Sequence, residues 1–326
     1  MNVASTILKL LMAMALGFYM RKKGVIDHKA NQALSFIVIN AAAPLLAITS
    51  VEHAAGDKSS LFKFMGIGIL LYLFLPFLGK FVAKALRAPK EDEIVYEMSI
   101  IFSNNVFMGF PVISAIFGQI AIFYSYIFHI MFNFMYYSYG IHLITKDKLS
   151  AAALDSDGNP LPNAGAPGEK KSLSEKIKSL KGCINNGTIA ALISLTMFLL
   201  DLHLPHAVND VMNFIGNLAT PISMISIGAS IASYPLASLF SDKKIISLIP
   251  IRLILMPAIG YFLMTFTGFD GMLRGIVTVT LGMPIASVVS MGCTEYDCHE
   301  KEASAAVAAS TLLSILTIPV MMLLFS

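Results

Sequence analysis

The chain has 326 residues, of which 56% are hydrophobic and 13% are charged, and its mean hydropathy is +0.73. This composition excludes a soluble globular protein and predicts an integral membrane protein. The net charge of +3 is explained by membrane topology, so no nucleic-acid partner is expected. Cys183, Cys293 and Cys298 give no framework of paired spacings, and Cys293, Cys298 and His299 lack a second pair of metal ligands. We therefore expect no disulfide, no metal and no cofactor.

Long apolar runs recur along the chain, and about 20 such residues are needed for a helix to cross a hydrocarbon layer roughly 30 Å thick. Period-two alternation is missing, which favours helices over a closed barrel. The first run is interpreted as a mature helix because its basic cluster follows the run instead of preceding it. The ten predicted spans are 3–20, 31–50, 61–82, 94–117, 120–144, 185–204, 207–232, 245–267, 271–293 and 303–325.

The distribution of basic residues predicts the topology. Of the 23 Lys and Arg residues, 18 lie in one set of alternate loops, which the positive-inside rule assigns to the cytoplasm. Both termini then lie outside the cell (inner) membrane. Five spans precede the central loop and five follow it, so the two halves have opposite orientations, as in many secondary transporters. The predicted fold is all-α, with one five-helix repeat at 1–144, a linker at 145–184 and an inverted repeat at 185–326.

The predicted linker is rich in Pro, Gly and Ser and then becomes basic. This composition indicates a cytosolic segment that is disordered up to about Gly168. Residues 172–181 are interpreted either as a short amphipathic helix on the membrane surface or as a solvated run of charges.

Two spans carry the same interruption, Gly109-Phe110-Pro111 in span 4 and Gly282-Met283-Pro284 in span 9. Proline removes a backbone donor and clashes with the preceding turn, so each span is predicted to break, with a second half-helix starting at the proline. The positive ends of these half-helices would converge near the midplane and bind an anion such as a carboxylate. The alternative is that glycine and proline only kink the helices for packing.

Polar residues near the interruptions extend the candidate site. Ser103, Asn104 and Asn105 precede the first one, and they would bind the substrate or cap the broken backbone. No acidic residue occurs from Met98 through Lys146 or from Gly271 through Thr294, which favours a negatively charged substrate. The predicted substrate-binding residues are Ser103, Asn104, Asn105, Gly109, Pro111, Gly282 and Pro284.

Six further residues are supporting candidates. Asn40 and Asn217 each precede a proline by four positions, which agrees with an internal repeat. Arg252 is expected to snorkel to the cytoplasmic interface, and attraction of the substrate is the alternative. Interhelical hydrogen bonding explains most polar stripes such as the one containing His129 and Asn133, although His129 is also a candidate for proton coupling. Ser310 belongs to a similar stripe in span 10.

The motif Asn104-x4-Gly109-x-Pro111 resembles the first crossing motif of the auxin efflux carrier family, which includes plant PIN-FORMED carriers and bacterial organic-acid permeases. Residues 226–231 after Pro221 resemble the seventh helix of that family, and residues 303–319 resemble its last. The resemblance implies two inverted five-helix repeats, crossing helices 4 and 9, an elevator-like motion and a homodimer. It also implies an organic-anion substrate, such as malate, malonate or an auxin-like acid, that contacts Asn104.

The sequence thus predicts a secondary active transporter of small organic anions in the lipid bilayer. A proton or a sodium ion is the candidate coupling partner, or the membrane potential drives transport directly. We expect no enzyme activity, because the spans contain no evident pair of nucleophile and base, and no Gly-x4-Gly-Lys-Ser/Thr loop is present. The alternative is a ligand-gated channel or a membrane receptor that binds a small anion without coupled transport.

Overall fold

A computed structural model describes residues 3–54, 58–90, 92–145, 184–233, 243–269, 271–296 and 298–324. Within these ranges the regular structure is helical, apart from one isolated antiparallel bridge between Ser103 and Ile285. The predicted linker 145–184, with its surface segment 172–181, lies outside the described residues except at its two ends.

In the described first half of the chain, three π-turns lie next to α-helices. The π-turns are Val38–Ala42 between α2 and α3, Asn105–Gly109 before α6, and Tyr136–Gly140 after α7. The helices are α1 (Val3–Lys22), α2 (His28–Ile37), α3 (Ala43–Ser50), α4 (Lys58–Ala85), α5 (Glu93–Ile101), α6 (Phe110–Phe117) and α7 (Ile120–Met135).

The second half begins where Asn185 caps α8, accepting a hydrogen bond from the Thr188 backbone N–H at 3.0 Å. The π-turn Ile251–Leu255 joins α11 to α12. The helices of this half are α8 (Asn186–Leu199), α9 (His206–Gly216), α10 (Ala219–Ser233), α11 (Lys243–Pro250), α12 (Met256–Thr265), α13 (Gly271–Gly282), α14 (Ser287–Glu295) and α15 (Glu300–Leu324).

Three of the π-turns come directly before a helix whose second residue is proline: Pro44 in α3, Pro111 in α6 and Pro257 in α12. Proline cannot donate a backbone hydrogen bond, and its ring clashes with the carbonyl group one turn earlier. The wider π-turn separates these groups, so the helix continues through the proline.

Six helical runs among the described residues are long and apolar enough to cross a membrane. Large apolar side chains of α4, such as Leu70, Phe77 and Phe81, are exposed, as expected of a surface that faces lipid. The protein is therefore an all-helical membrane protein, whereas the ten-span inverted repeat and its sidedness stay predictions. The six runs are His28–His53, Lys58–Ala85, Ile120–Thr145, His206–Ser233, Ile245–Thr265 and Glu300–Met321, and shorter apolar helices are Asn105–Phe117, Asn186–Leu199 and Gly271–Gly282.

The tightest helix contact joins the two halves of the chain. α1 packs along α10, and a Cβ atom on Gly17 or Gly228 would overlap the backbone carbonyl group of Ile225 or Met14, respectively. Small residues that let two backbones approach are typical of helix association in membranes. Elsewhere α4 packs on α5, α12 on α13 and α14 on α15. Uninterrupted helices therefore pack against parts of both interrupted spans, α5 in span 4 and α13 and α14 in span 9.

Candidate functional site

The two interrupted spans touch each other through their backbones. Helical structure stops after Ile101 and resumes at Asn105, and it stops again after Gly282 and resumes at Ser287. The backbone N–H of Asn104 donates to the Pro284 carbonyl oxygen at 2.8 Å, and that of Ala286 donates to the Phe102 carbonyl oxygen at 3.0 Å. Residues 102–104 therefore run antiparallel to residues 284–286, and this contact is called the crossing below.

The two Gly-x-Pro motifs occupy different places at the crossing. Pro284 lies in the extended segment itself, and helical structure resumes only at Ser287, so the expectation that a half-helix starts at Pro284 is wrong. Pro111 is the second residue of α6, which continues the π-turn Asn105–Gly109, so the expectation that a half-helix starts at Pro111 is wrong. Within that π-turn the Gly109 N–H donates to the Asn104 carbonyl oxygen at 3.0 Å.

Gly282 serves packing rather than an unusual backbone conformation. A Cβ atom added to Gly282 would lie 3.0 Å from Cβ of Pro257 and closer still to the Met321 sulfur. A contact of that kind forces neighbouring groups to move. Gly282 thus lets the end of α13 approach both α12 and α15.

Two helical segments begin at the crossing, one after Asn104 and the other after Ala286. Neither residue caps its segment with a side-chain hydrogen bond. The first backbone N–H groups of a helix have no partner within the helix, and together they carry roughly half a positive elementary charge. Two such ends at one place favour a negatively charged group.

Arg252, in the π-turn Ile251–Leu255, is fully buried at the crossing. Its Nε donates to the Met283 carbonyl oxygen at 2.9 Å, and its Nη1 donates to the Ile100 carbonyl oxygen at 2.8 Å. Because helix breaks leave carbonyl groups without intrahelical partners, these oxygens offset part of the cost of burying the guanidinium. The expectation that Arg252 snorkels to the cytoplasmic interface is therefore wrong.

One nitrogen atom of the Arg252 guanidinium group has no hydrogen-bond partner among the described residues. This atom is Nη2, which is buried. No carboxylate pairs with Arg252 among those residues either. A buried cation that is not fully compensated is costly, so this nitrogen atom favours an anion as its partner.

Ser310 supports the crossing from α15. Its hydroxyl oxygen accepts a hydrogen bond from the Ile285 backbone N–H at 3.1 Å, and its hydroxyl group donates to the Val307 carbonyl oxygen at 3.0 Å. The Ile285 amide thereby finds an acceptor that the interrupted helix does not supply. Ser310 is thus a structural support of the extended segment.

Several polar side chains at the crossing have unused hydrogen-bonding capacity. Ser103 Oγ and Asn105 Oδ1 are buried without a partner in the described residues, and the Asn104 side chain makes no hydrogen bond there. The Tyr72 hydroxyl group of α4 is buried near the Asn105 side chain and has no hydrogen-bond partner in the described residues. Buried polar groups are rarely left unpaired, so their concentration here indicates a polar ligand.

Comparison with known proteins agrees with a transport role. A family model described as "Membrane transport protein" matches residues 2–322. The chain belongs to this family. The resemblance to auxin efflux carriers is thereby confirmed. A protein of Methanothermobacter thermautotrophicus named "Uncharacterized transporter" is 21% identical over 323 residues, which cover 98% of this chain and 97% of the relative.

Two of the supporting candidates named from the sequence of this membrane transport protein, His129 and Asn133, lie on α7. Asn133 Nδ2 donates to Thr188 Oγ1 of α8 at 3.1 Å, as expected for an interhelical hydrogen bond. The buried His129 ring stacks on Phe132 with a centroid distance of 4.8 Å and meets the Phe110 ring edge-on at 5.6 Å. Its Nδ1 is without a partner in the described residues. His129 therefore packs against the first residue of α6.

Asn40 and Asn217 make hydrogen bonds that do not reach the crossing. Asn40 donates to the Phe36 carbonyl oxygen at 3.0 Å and accepts from Asn186 Nδ2 at 3.0 Å. Asn217 is exposed in the turn after α9, where it accepts from Gln119 Nε2 at 3.4 Å. The equal Asn-to-Pro spacings in the sequence thus correspond to two different local structures.

Two buried residues of this transport protein were not singled out by the sequence. Tyr72 lies in an apolar run where aromatic residues are unremarkable, so only the fold brings it to the crossing. Glu97 of α5 is 6% exposed and accepts a hydrogen bond from the Tyr139 hydroxyl group. Lys80 Nζ lies 5.7 Å from the centre of the Tyr139 ring. Glu97 could have been found in the sequence, because it is an acidic residue at the fourth position of predicted span 4.

One group of three potential metal ligands occurs in the described chain, formed by Asp92, His299 and Glu302. Their ligand atoms lie within 4.8 Å of one another, and His299 Nδ1 is 3.6 Å from Asp92 Oδ1. These contacts connect the start of α5 to the start of α15. Cys293 and Cys298 are buried and form no disulfide among the described residues.

Proposed function

We propose that this protein is a secondary active transporter of small organic anions, which bind at the crossing. The observation that carries the proposal is the buried Arg252 guanidinium, whose Nη2 has no partner in the described residues, beside the beginnings of two helical segments. A carboxylate fits these groups because it accepts hydrogen bonds from guanidinium and amide donors and brings the missing negative charge.

Each polar group has a role in this proposal. The N–H group of Asn105 donates to the Ser103 carbonyl oxygen at 2.8 Å. Arg252 Nη2 and the remaining N–H groups of the first turns after Asn104 and Ala286 attract one carboxylate. Charges at helix N-termini are stabilised by about 0.3–1 kcal/mol each, and more in buried geometry. The Asn104 side chain and the Ser103 hydroxyl group donate to its oxygens, which selects a planar group with two separate acceptor atoms over a spherical halide ion. Several fixed donors around one small site favour compact carboxylates such as malate or malonate.

The proposed movement is elevator-like. The glycine contact between α1 and α10 would belong to a rigid scaffold, because neither Gly17 nor Gly228 leaves room for the two helices to slide closer. The crossing and the helices packed on it would move as one body and expose the site first to one side and then to the other. If two copies of the protein associate through their scaffolds, the homodimer would keep the scaffolds fixed in the bilayer while the crossing moves.

Purified protein in liposomes tests the proposal. With labelled malate or malonate outside, we expect saturable uptake that unlabelled dicarboxylate inside accelerates by exchange. Empty liposomes and heat-inactivated protein are the controls. Binding by thermal shift without flux would favour a receptor, whereas flux that does not saturate or exchange would favour a channel.

A further inference from the structure

The crossing contains backbone carbonyl groups of the kind that bind cations. In transporters with interrupted helices, carbonyl oxygens at the ends of half-helices coordinate the coupling sodium ion or lie beside the coupling proton. Ile100 and Met283 supply two such oxygens here, one from each interrupted span. Both face Arg252, which comes from a third span.

Arg252 meets the requirements of a cation at this position. A guanidinium group is charged at every accessible pH, and its planar fork offers several donors in fixed directions. Nε and Nη1 reach the two carbonyl oxygens at 2.9 Å and 2.8 Å, so the group bridges both interruptions. Nη2 remains for the anion.

From this geometry we infer that Arg252 is a positioning residue that acts as a built-in cation, replacing a sodium ion as the partner of the carbonyl ends at the crossing. The inference rests on the proposed function, because it assigns the charge that accompanies the anion. A fixed charge stays with the protein during the transport cycle. Anion uptake then needs no sodium ion and responds to the membrane potential.

The first test uses the wild-type protein in liposomes at a clamped membrane potential. Malate uptake is compared in sodium, potassium and N-methylglucamine buffers of equal ionic strength. We expect equal initial rates in the three buffers. Uptake that requires sodium, or that rises with sodium along a saturation curve, would overturn the inference.

The second test removes the guanidinium group and returns it as a free ion. Arg252→Ala is expected to lower uptake by about tenfold to a hundredfold, since it deletes two hydrogen bonds from a charged donor. Low-millimolar guanidinium chloride should restore part of the uptake, and N-methylglucamine should not. Arg252→Lys should retain more activity than Arg252→Ala, although an ammonium group does not reproduce the fork. Full activity of Arg252→Ala without guanidinium would contradict the assignment.

A binding measurement separates this inference from the proposed function. Melting temperatures in detergent are recorded with guanidinium or sodium as the added ion and without any carboxylate. Guanidinium at low-millimolar concentration should raise the melting temperature of Arg252→Ala and leave the wild type unchanged, because only the variant has free carbonyl oxygens. If no carboxylate is transported but this pattern appears, the proposed substrate is wrong and the role of Arg252 stands. Equal responses of both proteins would overturn that role.

If Arg252→Ala does not fold, Arg252→Met preserves the length of the side chain and removes its donors. The wild-type buffer comparison needs neither variant, so a sodium requirement contradicts the inference in every case.

Discussion

Ser103 and Ile285 face each other as an antiparallel pair, although they come from opposite halves of the chain. The flanking backbone hydrogen bonds measure 2.8 Å and 3.0 Å, and they fix the register of the two extended segments. Directly opposed residues of this kind have Cα atoms roughly 4.5 Å apart, within the range of a disulfide. The crossing can therefore be tested by covalent chemistry.

A protein with Ser103→Cys and Ile285→Cys, in a background with its natural cysteines replaced by alanine, is expected to form a disulfide under mild oxidation. A protease site inserted within 145–184 allows the chain to be cut between the halves. On non-reducing gels the halves should stay together, and reduction should separate them. Cross-linking would show that the two interruptions meet in the membrane.

The matched control pairs Leu70→Cys with Ile285→Cys. Leu70 lies on the exposed apolar side of α4 and should not reach the crossing. Efficient cross-linking of this control pair, or none between positions 103 and 285, would contradict the crossing.

Asn104→Ala is expected to reduce malate uptake by about tenfold while the protein still folds. The Asn104 side-chain amide makes no hydrogen bond in the described residues, so its removal should leave the stability of the protein unchanged. The variant should lose one hydrogen bond to the bound substrate, and a hydrogen bond to a charged group contributes about 1.5–3 kcal/mol. The readouts are the initial uptake rate and the melting temperature with and without malate.

Asn209→Ala is the matched control for that variant. Asn209 lies on α9, which packs on α3, and its side chain accepts a hydrogen bond from Asn213 at 3.2 Å. Uptake should be unchanged in this variant. Equal uptake by Asn104→Ala and Asn209→Ala would remove Asn104 from the site.

The sequence predicted the class of fold because lipid-facing helices need long apolar runs, which are visible in composition alone. It also identified proline interruptions in spans 4 and 9. It did not predict which form each interruption takes, because proline is compatible with either a π-turn or an extended break. Pro44, Pro111 and Pro257 follow π-turns, whereas Pro284 lies in a break.

Arg252 shows why the remaining features of the site depend on contacts that only the folded chain creates. A lone arginine in an apolar run most often reaches an interface, and snorkelling follows from that general rule. Here the outcome depends on acceptors at Ile100 and Met283, which only the fold brings beside Arg252. The role of Ser310 depends in the same way on Ile285, whose amide lost its helical partner at the break.

Ser310→Ala is expected to lower the free energy of unfolding by about 1–3 kcal/mol, the cost of leaving a buried amide without its acceptor. The affected donor is the Ile285 backbone N–H, which is now bonded at 3.1 Å. The measurement is denaturant or thermal unfolding in one detergent.

Ser314→Ala is the control for Ser310→Ala. Ser314 is also buried on α15, but its hydroxyl group donates to the Thr311 carbonyl oxygen of the same helix. Little loss is expected, because no backbone amide loses an acceptor. Equal destabilisation by the two variants would show that the bond to Ile285 has no special importance.

Gly228→Ala tests the contact that we assign to the scaffold. The added methyl group would overlap the backbone carbonyl group of Met14, which cannot move aside as a flexible side chain can. Overpacking of this kind costs about 1–3 kcal/mol, so the melting temperature in detergent should fall.

Gly66→Ala on α4 is the matched control, since a Cβ atom there meets nothing within 4 Å. Its stability should be unchanged or slightly higher, because alanine favours helix by about 1 kcal/mol over glycine. A melting temperature of Gly228→Ala equal to that of Gly66→Ala would show that α1 and α10 are not closely packed at this point.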